Sequence, residues 1–225
     1  MPAVCGFAGP GAEVSALPHK DGNFATAACA LKDTLHGVDV LVNPDVGRNH
    51  PMDCLLMEAA SAARVCAYLN VVTSDDQVAD PQCSAASLAL RPSEGGNNMQ
   101  IVSIHAGFCM ENILSTKTEG TIRVPALRTP YTSAPDLGRT LAELSILAMT
   151  LPARVPAIVH VAGDVVSGAQ IAEMMQSLQD SGQTVEVVER TRALSAADDG
   201  ADNELVNPGE RLWKWKKVRD VLTEV

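Results

Sequence analysis

Along this chain, helical stripes of apolar residues alternate with short, nearly continuous apolar runs. From Phe24 to His36, the residues Phe24, Ala28, Leu31 and Leu35 fall on one helical face, and Gly37 stands where a left-handed residue ends such a helix. Val38 to Asn43 is short and β-branched and is stopped by Pro44, so it reads as a buried strand. The pattern repeats, with Pro51 to Cys66 helical through Leu55, Leu56, Ala59, Ala62 and Ala63, and Ala67 to Thr73 extended. A weaker helix at Ser84 to Leu90, a breaker-rich stretch and an extended Met99 to His105 make a third unit.

Further on, Pro135 opens a helix carrying Leu137, Leu141, Leu144, Ala148 and Leu151, and Ala157 to Val161 is another strand. Ser167 and Gln170 stand at capping-box spacing ahead of a helix that runs towards Leu178, and Thr184 to Val188 returns as a strand. Residues 193–210 lose periodicity and carry five acids, which reads as a solvated linker. Arg211 to Val225 has Leu212, Trp215, Val218 and Leu222 at roughly helical spacing beside five Lys or Arg, which reads as a basic terminal helix docking on its own domain.

Helices alternating with buried strands predict an α/β fold, a Rossmann-like parallel sheet covered on both faces. In such sheets ligands gather beyond the carboxyl ends of the strands. The residues there are Asn43, Ser74 to Asp76, and His105 to Glu111. Residues 1–150 are expected to form a degenerate dinucleotide-binding domain, and residues 151–225 a smaller substrate lobe containing the acidic linker and the basic helix.

Composition narrows the classes. Hydrophobic residues make up 46% and aromatic residues only 3%, so the core is aliphatic. A net charge of −10 repels a nucleic-acid backbone. Six cysteines without a CxxC pair suit a reduced cytoplasmic protein, and neither a secretory leader nor a bilayer-length apolar run is present. The five scattered histidines offer no metal-ligand spacing, and no GxSxG elbow is found.

The order of motifs carries a resemblance. Gly37-Val38-Asp39-Val40-Leu41-Val42, then Glu58-Ala59-Ala60 with Ala63-Arg64-Val65, then Ala106-Gly107-Phe108-Cys109-Met110-Glu111-Asn112 resemble the NmrA-like and isoflavone-reductase-like family. Asp136-Leu137-Gly138-Arg139 and Gly163-Asp164-Val165-Val166-Ser167 agree with it. The resemblance implies an atypical short-chain dehydrogenase fold with a small substrate lobe. Members commonly bind NADP or NAD; some reduce small phenolic metabolites, and others serve as redox-responsive regulators.

Two features depart from that family. The glycines Gly6, Gly9 and Gly11 occupy the place of the phosphate-binding loop, but no helix fits behind them, because Glu13 to Leu17 reads as a strand. The first helix and second strand of the dinucleotide unit are therefore expected to be absent, leaving no cofactor or a weakly bound NADP. The open sheet edge left behind calls for cover by the N-terminal segment, the C-terminal helix or a second copy in a homodimer. The second departure is that Cys83 to Leu90 lacks the lysine of the reductases, and no Tyr-x-x-x-Lys pair exists.

The groups left for chemistry are His105 paired with Asp75 or Asp76, and Glu111, as acid–base residues. Asn43, Ser74, Phe108, Met110 and Tyr131 are the expected substrate contacts. The leading expectation is a tailoring enzyme performing an isomerisation, cyclisation or elimination on a small apolar metabolite, with no nucleic-acid or membrane partner. An NAD(P)H-dependent reductase and a non-catalytic ligand or redox sensor are the rivals.

Overall fold

The computed structural model describes residues 5–7, 15–16, 31–43, 50–73, 99–115, 121–178, 184–188 and 202–223. Strands β1 (Cys5–Phe7), β2 (Ser15–Ala16) and β3 (Val40–Asn43) precede helix α1 (His50–Ala62). Then come β4 (Ala67–Thr73), β5 (Gln100–Cys109), α2 (Met110–Ser115), β6 (Thr121–Pro125), β7 (Thr129–Thr132) and α3 (Ala134–Thr150). They are followed by β8 (Ile158–His160), β9 (Asp164–Val166), α4 (Gly168–Ser177), β10 (Thr184–Val188), α5 (Asn203–Val206) and α6 (Val218–Thr223). The chain forms two compact units: residues 1–104 with 141–159, and residues 105–140 with 160–225.

In the first unit the strand order is β2-β1-β3-β4-β5. β3 and β4 are parallel, with Val40 opposite Ala67 and Asn43 opposite Asn70. Leu56, Met57, Ala59 and Ala60 of α1 pack with Leu41 and Tyr68 to form a core; Leu56 and Ala59 belong to the expected apolar stripe, whereas Ala62, also expected there, is exposed. The helix ends in a Schellman turn: the Val65 amide donates to the Ala60 carbonyl and the Arg64 amide to that of Ser61. Arg64 takes the left-handed conformation there (φ 64°), a place that usually falls to glycine. Gly37, with φ 79°, ends the preceding helical turn as expected.

β1 runs antiparallel to β3, pairing Cys5 with Val42 and Phe7 with Val40, and β2 folds back antiparallel on β1. The N-terminal residues therefore supply the cover that the open edge of β3 calls for.

In the second unit β7 runs parallel to β5, with Phe108 opposite Tyr131, and β9 runs antiparallel to β7. β6 and β10 form a separate parallel pair. Ser167 and Gln170 make the expected capping box at the start of α4. Phe108, Met110, Ile113, Val124, Tyr131, Val166, Ile171 and Met175 form the core, closed by Val218 and Val221 of α6. The basic C-terminal stretch docks on its own unit, but it is helical only over Val218–Thr223. The preceding amides are drawn into separate contacts: that of Lys216 donates to Asp136, that of Lys217 to Asp220 and that of Val218 to Asp164.

Residues 202–210, expected to be solvated, carry α5 and a 3-10 turn (Pro208–Glu210). Their polar side chains bond to backbone. Asp202 Oδ2 accepts from the His160 amide, and Asn203 bonds both the amide and the carbonyl of Ala162. Among the described residues no helix is long and apolar enough to cross a membrane.

Candidate functional site

The carboxyl ends of the parallel strands are where the fold offers a ligand site. In the first unit that edge holds Asn43, which is buried; its Nδ2 donates to the Tyr68 hydroxyl at 3.0 Å. Asn70, opposite Asn43 in the ladder and two residues beyond Tyr68, lies on the same face of the sheet. It too is buried, and its Oδ1 has no hydrogen-bond partner. Tyr68 and Asn70 were missed by sequence reasoning. Their signal is two polar-tipped side chains at i and i+2 in an otherwise apolar strand, AYLNVVT.

In the second unit, β5 and β7 lead almost directly into α2 and α3, and the polar groups there bind backbone. The Glu111 carboxylate accepts the Ala134 amide at 3.0 Å from each oxygen and the Cys109 thiol at 3.0 Å. Ser133 Oγ accepts the Asp136 amide. With Pro135 contributing no N–H, the first turn of α3 has its donors occupied and makes no anion cradle.

His105 was expected at a strand end. It stands instead inside β5, because the strand continues to Cys109, passing through Gly107, which takes a left-handed φ of 67° that a glycine tolerates. Its ring packs 4.9 Å from that of His160. Phe108, Met110 and Tyr131, expected as substrate contacts, are buried in the core of the second unit, with the Phe108 and Tyr131 rings 5.7 Å apart. Gly6 lies within β1, opposite Leu41 and Ser15. Gly9, Gly11, Ser74, Asp75 and Asp76 lie outside the described residues, as does the 84–90 helix. Among the described residues, no three His, Cys, Asp or Glu side chains are placed to hold a metal.

Burial, then the hydrogen bond and charge of Glu111, push the Cys109 thiol from 9.0 up to about 11. The folded chain therefore holds this proton more tightly than the unfolded one. The resulting stability is fully present below pH 9 and is lost as pH rises through about 11. Iodoacetamide should label Cys109 at pH 8 about tenfold to a hundredfold more slowly in the native protein than in urea, because the thiolate fraction falls while its nucleophilicity rises. Equal rates would contradict the assignment.

No family model and no curated protein matches the sequence. Solved structures do match. NmrA, a negative transcriptional regulator, superposes with a TM-score of 0.60 at 13% identity, covering 91% of this chain and 79% of its own. MoeE5, solved with UDP-glucose and NAD, gives 0.60 at 15% identity over 92% and 84%. TunA, an NAD-dependent NDP-hexosamine 5,6-dehydratase of tunicamycin biosynthesis, gives 0.60 at 12% identity over 85% and 77%.

The chain has an NmrA-like fold.

NmrA has also been solved with NAD. In a dinucleotide-binding unit the first strand runs parallel to its neighbours, and its glycine loop emerges at their carboxyl ends, against a helix N-terminus. Here β1 is antiparallel to β3, and the chain leaves it at Phe7, opposite Val40, the amino end of β3. Asn43 marks the other end, about 10 Å along the strand. The first-strand residues of this NmrA-like chain do not fit a pyrophosphate at the ligand edge.

Proposed function

We propose that this chain is a small-molecule-binding protein of NmrA-like fold that acts without hydride transfer, recognising its ligand at the carboxyl edge of the first unit. The reversed direction of β1 supports this reading, because the chain leaves that strand at Phe7, opposite Val40 at the amino end of β3, and not at the carboxyl edge where a dinucleotide would lie. Ligand sensing is the form of this role that the described groups favour. Glu111 and Asp136 direct their carboxylates to backbone amides, and Cys109 stays protonated at neutral pH, so none is poised to exchange a proton with a substrate.

A proton-moving tailoring enzyme is the second reading. It runs through His105, a half-buried imidazole beside a second one, since imidazole titrates near neutrality. Calorimetric titration with NADPH and NADH tests the shared core of both forms. We expect no saturable binding up to about 1 mM, and a dissociation constant below about 10 μM would overturn the reading. Mass spectrometry of a copurifying molecule, before and after incubation, separates the forms: an unchanged molecule supports sensing, and a product lost in His105→Ala supports the enzyme.

A further inference from the structure

We propose that Asn43, Tyr68 and Asn70 form a recognition site for a neutral small molecule bearing a hydroxyl or amide N–H, with Asn70 Oδ1 as the acceptor that receives it. This deepens the reading above by naming the ligand class, and it rests on that reading for the role of the site.

Asn70 is 4% exposed and its Oδ1 makes no hydrogen bond. Buried acceptors are nearly always partnered, because an unpaired one keeps its full desolvation penalty. The neighbours do not relieve it. Asn43 spends Nδ2 on the Tyr68 hydroxyl, and the α1 side chains packed over this face at Leu56, Met57, Ala59 and Ala60 are apolar. A cost held at the carboxyl edge of parallel strands, where this class of sheet receives its ligands, marks a group kept for something outside the chain.

The surroundings also set the charge of the partner. The three polar tips are two carboxamides and a phenol, and Glu58 of α1 is exposed. A charged ligand brought against them would be desolvated without a counterion, whereas a hydroxyl or amide N–H brings one donor to one open acceptor. The apolar α1 residues suit a ligand whose donor is attached to a flat or aliphatic body.

The test is a ¹H–¹⁵N titration of the full chain with phenol and benzamide, using toluene and benzoate as the donor-free and anionic controls. Phenol and benzamide should shift the Asn70 side-chain amide saturably, and the controls should not. Asn70→Leu, close in volume, should weaken phenol binding at least tenfold, read from the backbone amides of Leu69 and Val71. No saturable shift with either donor, an equal response to toluene, or undiminished phenol binding in Asn70→Leu overturns the proposal. Should the variant not fold, the wild-type contrast between phenol and toluene decides. The NADPH titration tests the non-redox reading separately, so either can fail while the other stands.

Discussion

Gly107→Ala is expected to leave little folded protein. At φ 67° a β-carbon is disfavoured, by about 1–2 kcal/mol. The added atom would also clash with the Pro130 carbonyl oxygen and lie 2.6 Å from its carbon, so two backbones would have to part where β5 meets β7. That junction aligns Phe108 with Tyr131 at the centre of the second unit's core. Together the strain and the separation exceed about 4 kcal/mol, a large part of the stability of an ordinary domain. Soluble yield and far-ultraviolet circular dichroism provide the check. Gly138→Ala is the matched control: it lies inside α3 with nothing within 4 Å of a new β-carbon, and it should raise Tm by about 1–4 °C. A Gly107→Ala protein melting like wild type would mean that β5 and β7 are not this close.

Asp136→Ala carries the second large effect. The carboxylate is fully buried in the first turn of α3; one oxygen accepts from Arg139 at 2.9 Å and the other from the Lys216 amide at 2.8 Å. Arg139 is half exposed, so that pair is screened and contributes little. The larger loss is the charge-assisted bond to the Lys216 amide, 80 residues away, with the helix dipole adding to it. A loss of about 2–4 kcal/mol lowers Tm by roughly 5–12 °C, and amide exchange at Lys216 and Val218 should quicken. Asp136→Asn keeps one acceptor and should lose less. An unchanged Tm in Asp136→Ala would show that the Lys216 amide contact adds nothing to the hold on the C-terminal stretch.

What the sequence made legible was local. Gly37 and Pro44 punctuate the chain at short range, the apolar stripe of α1 has a helical period, and Ser167 with Gln170 signals a cap within four residues. What stayed hidden depends on distant partners. The short apolar stub ahead of the N-terminal glycines carries no information on the direction of β1, and direction decides at which end of β3 the chain leaves that strand. Residues 202–210 read as solvated because they are polar, yet Asp202 and Asn203 find their partners some forty residues earlier. The site divides in the same way. Asn43 is marked by its place before Pro44, whereas Asn70 becomes conspicuous only when its oxygen is found without a donor.

The arrangement at residues 160–162 also bears on self-association. Sheet margins invite a strand from another molecule, which starts from free amides and carbonyls along the margin. At His160 the amide is taken by the Asp202 carboxylate and the carbonyl by the Asp202 amide, and at Ala162 the Asn203 carboxamide takes both. Two residues thus imitate a strand without being one, three of the four bonds coming from their side chains. Domain exchange or fibrillar growth through these positions would first have to unseat both residues.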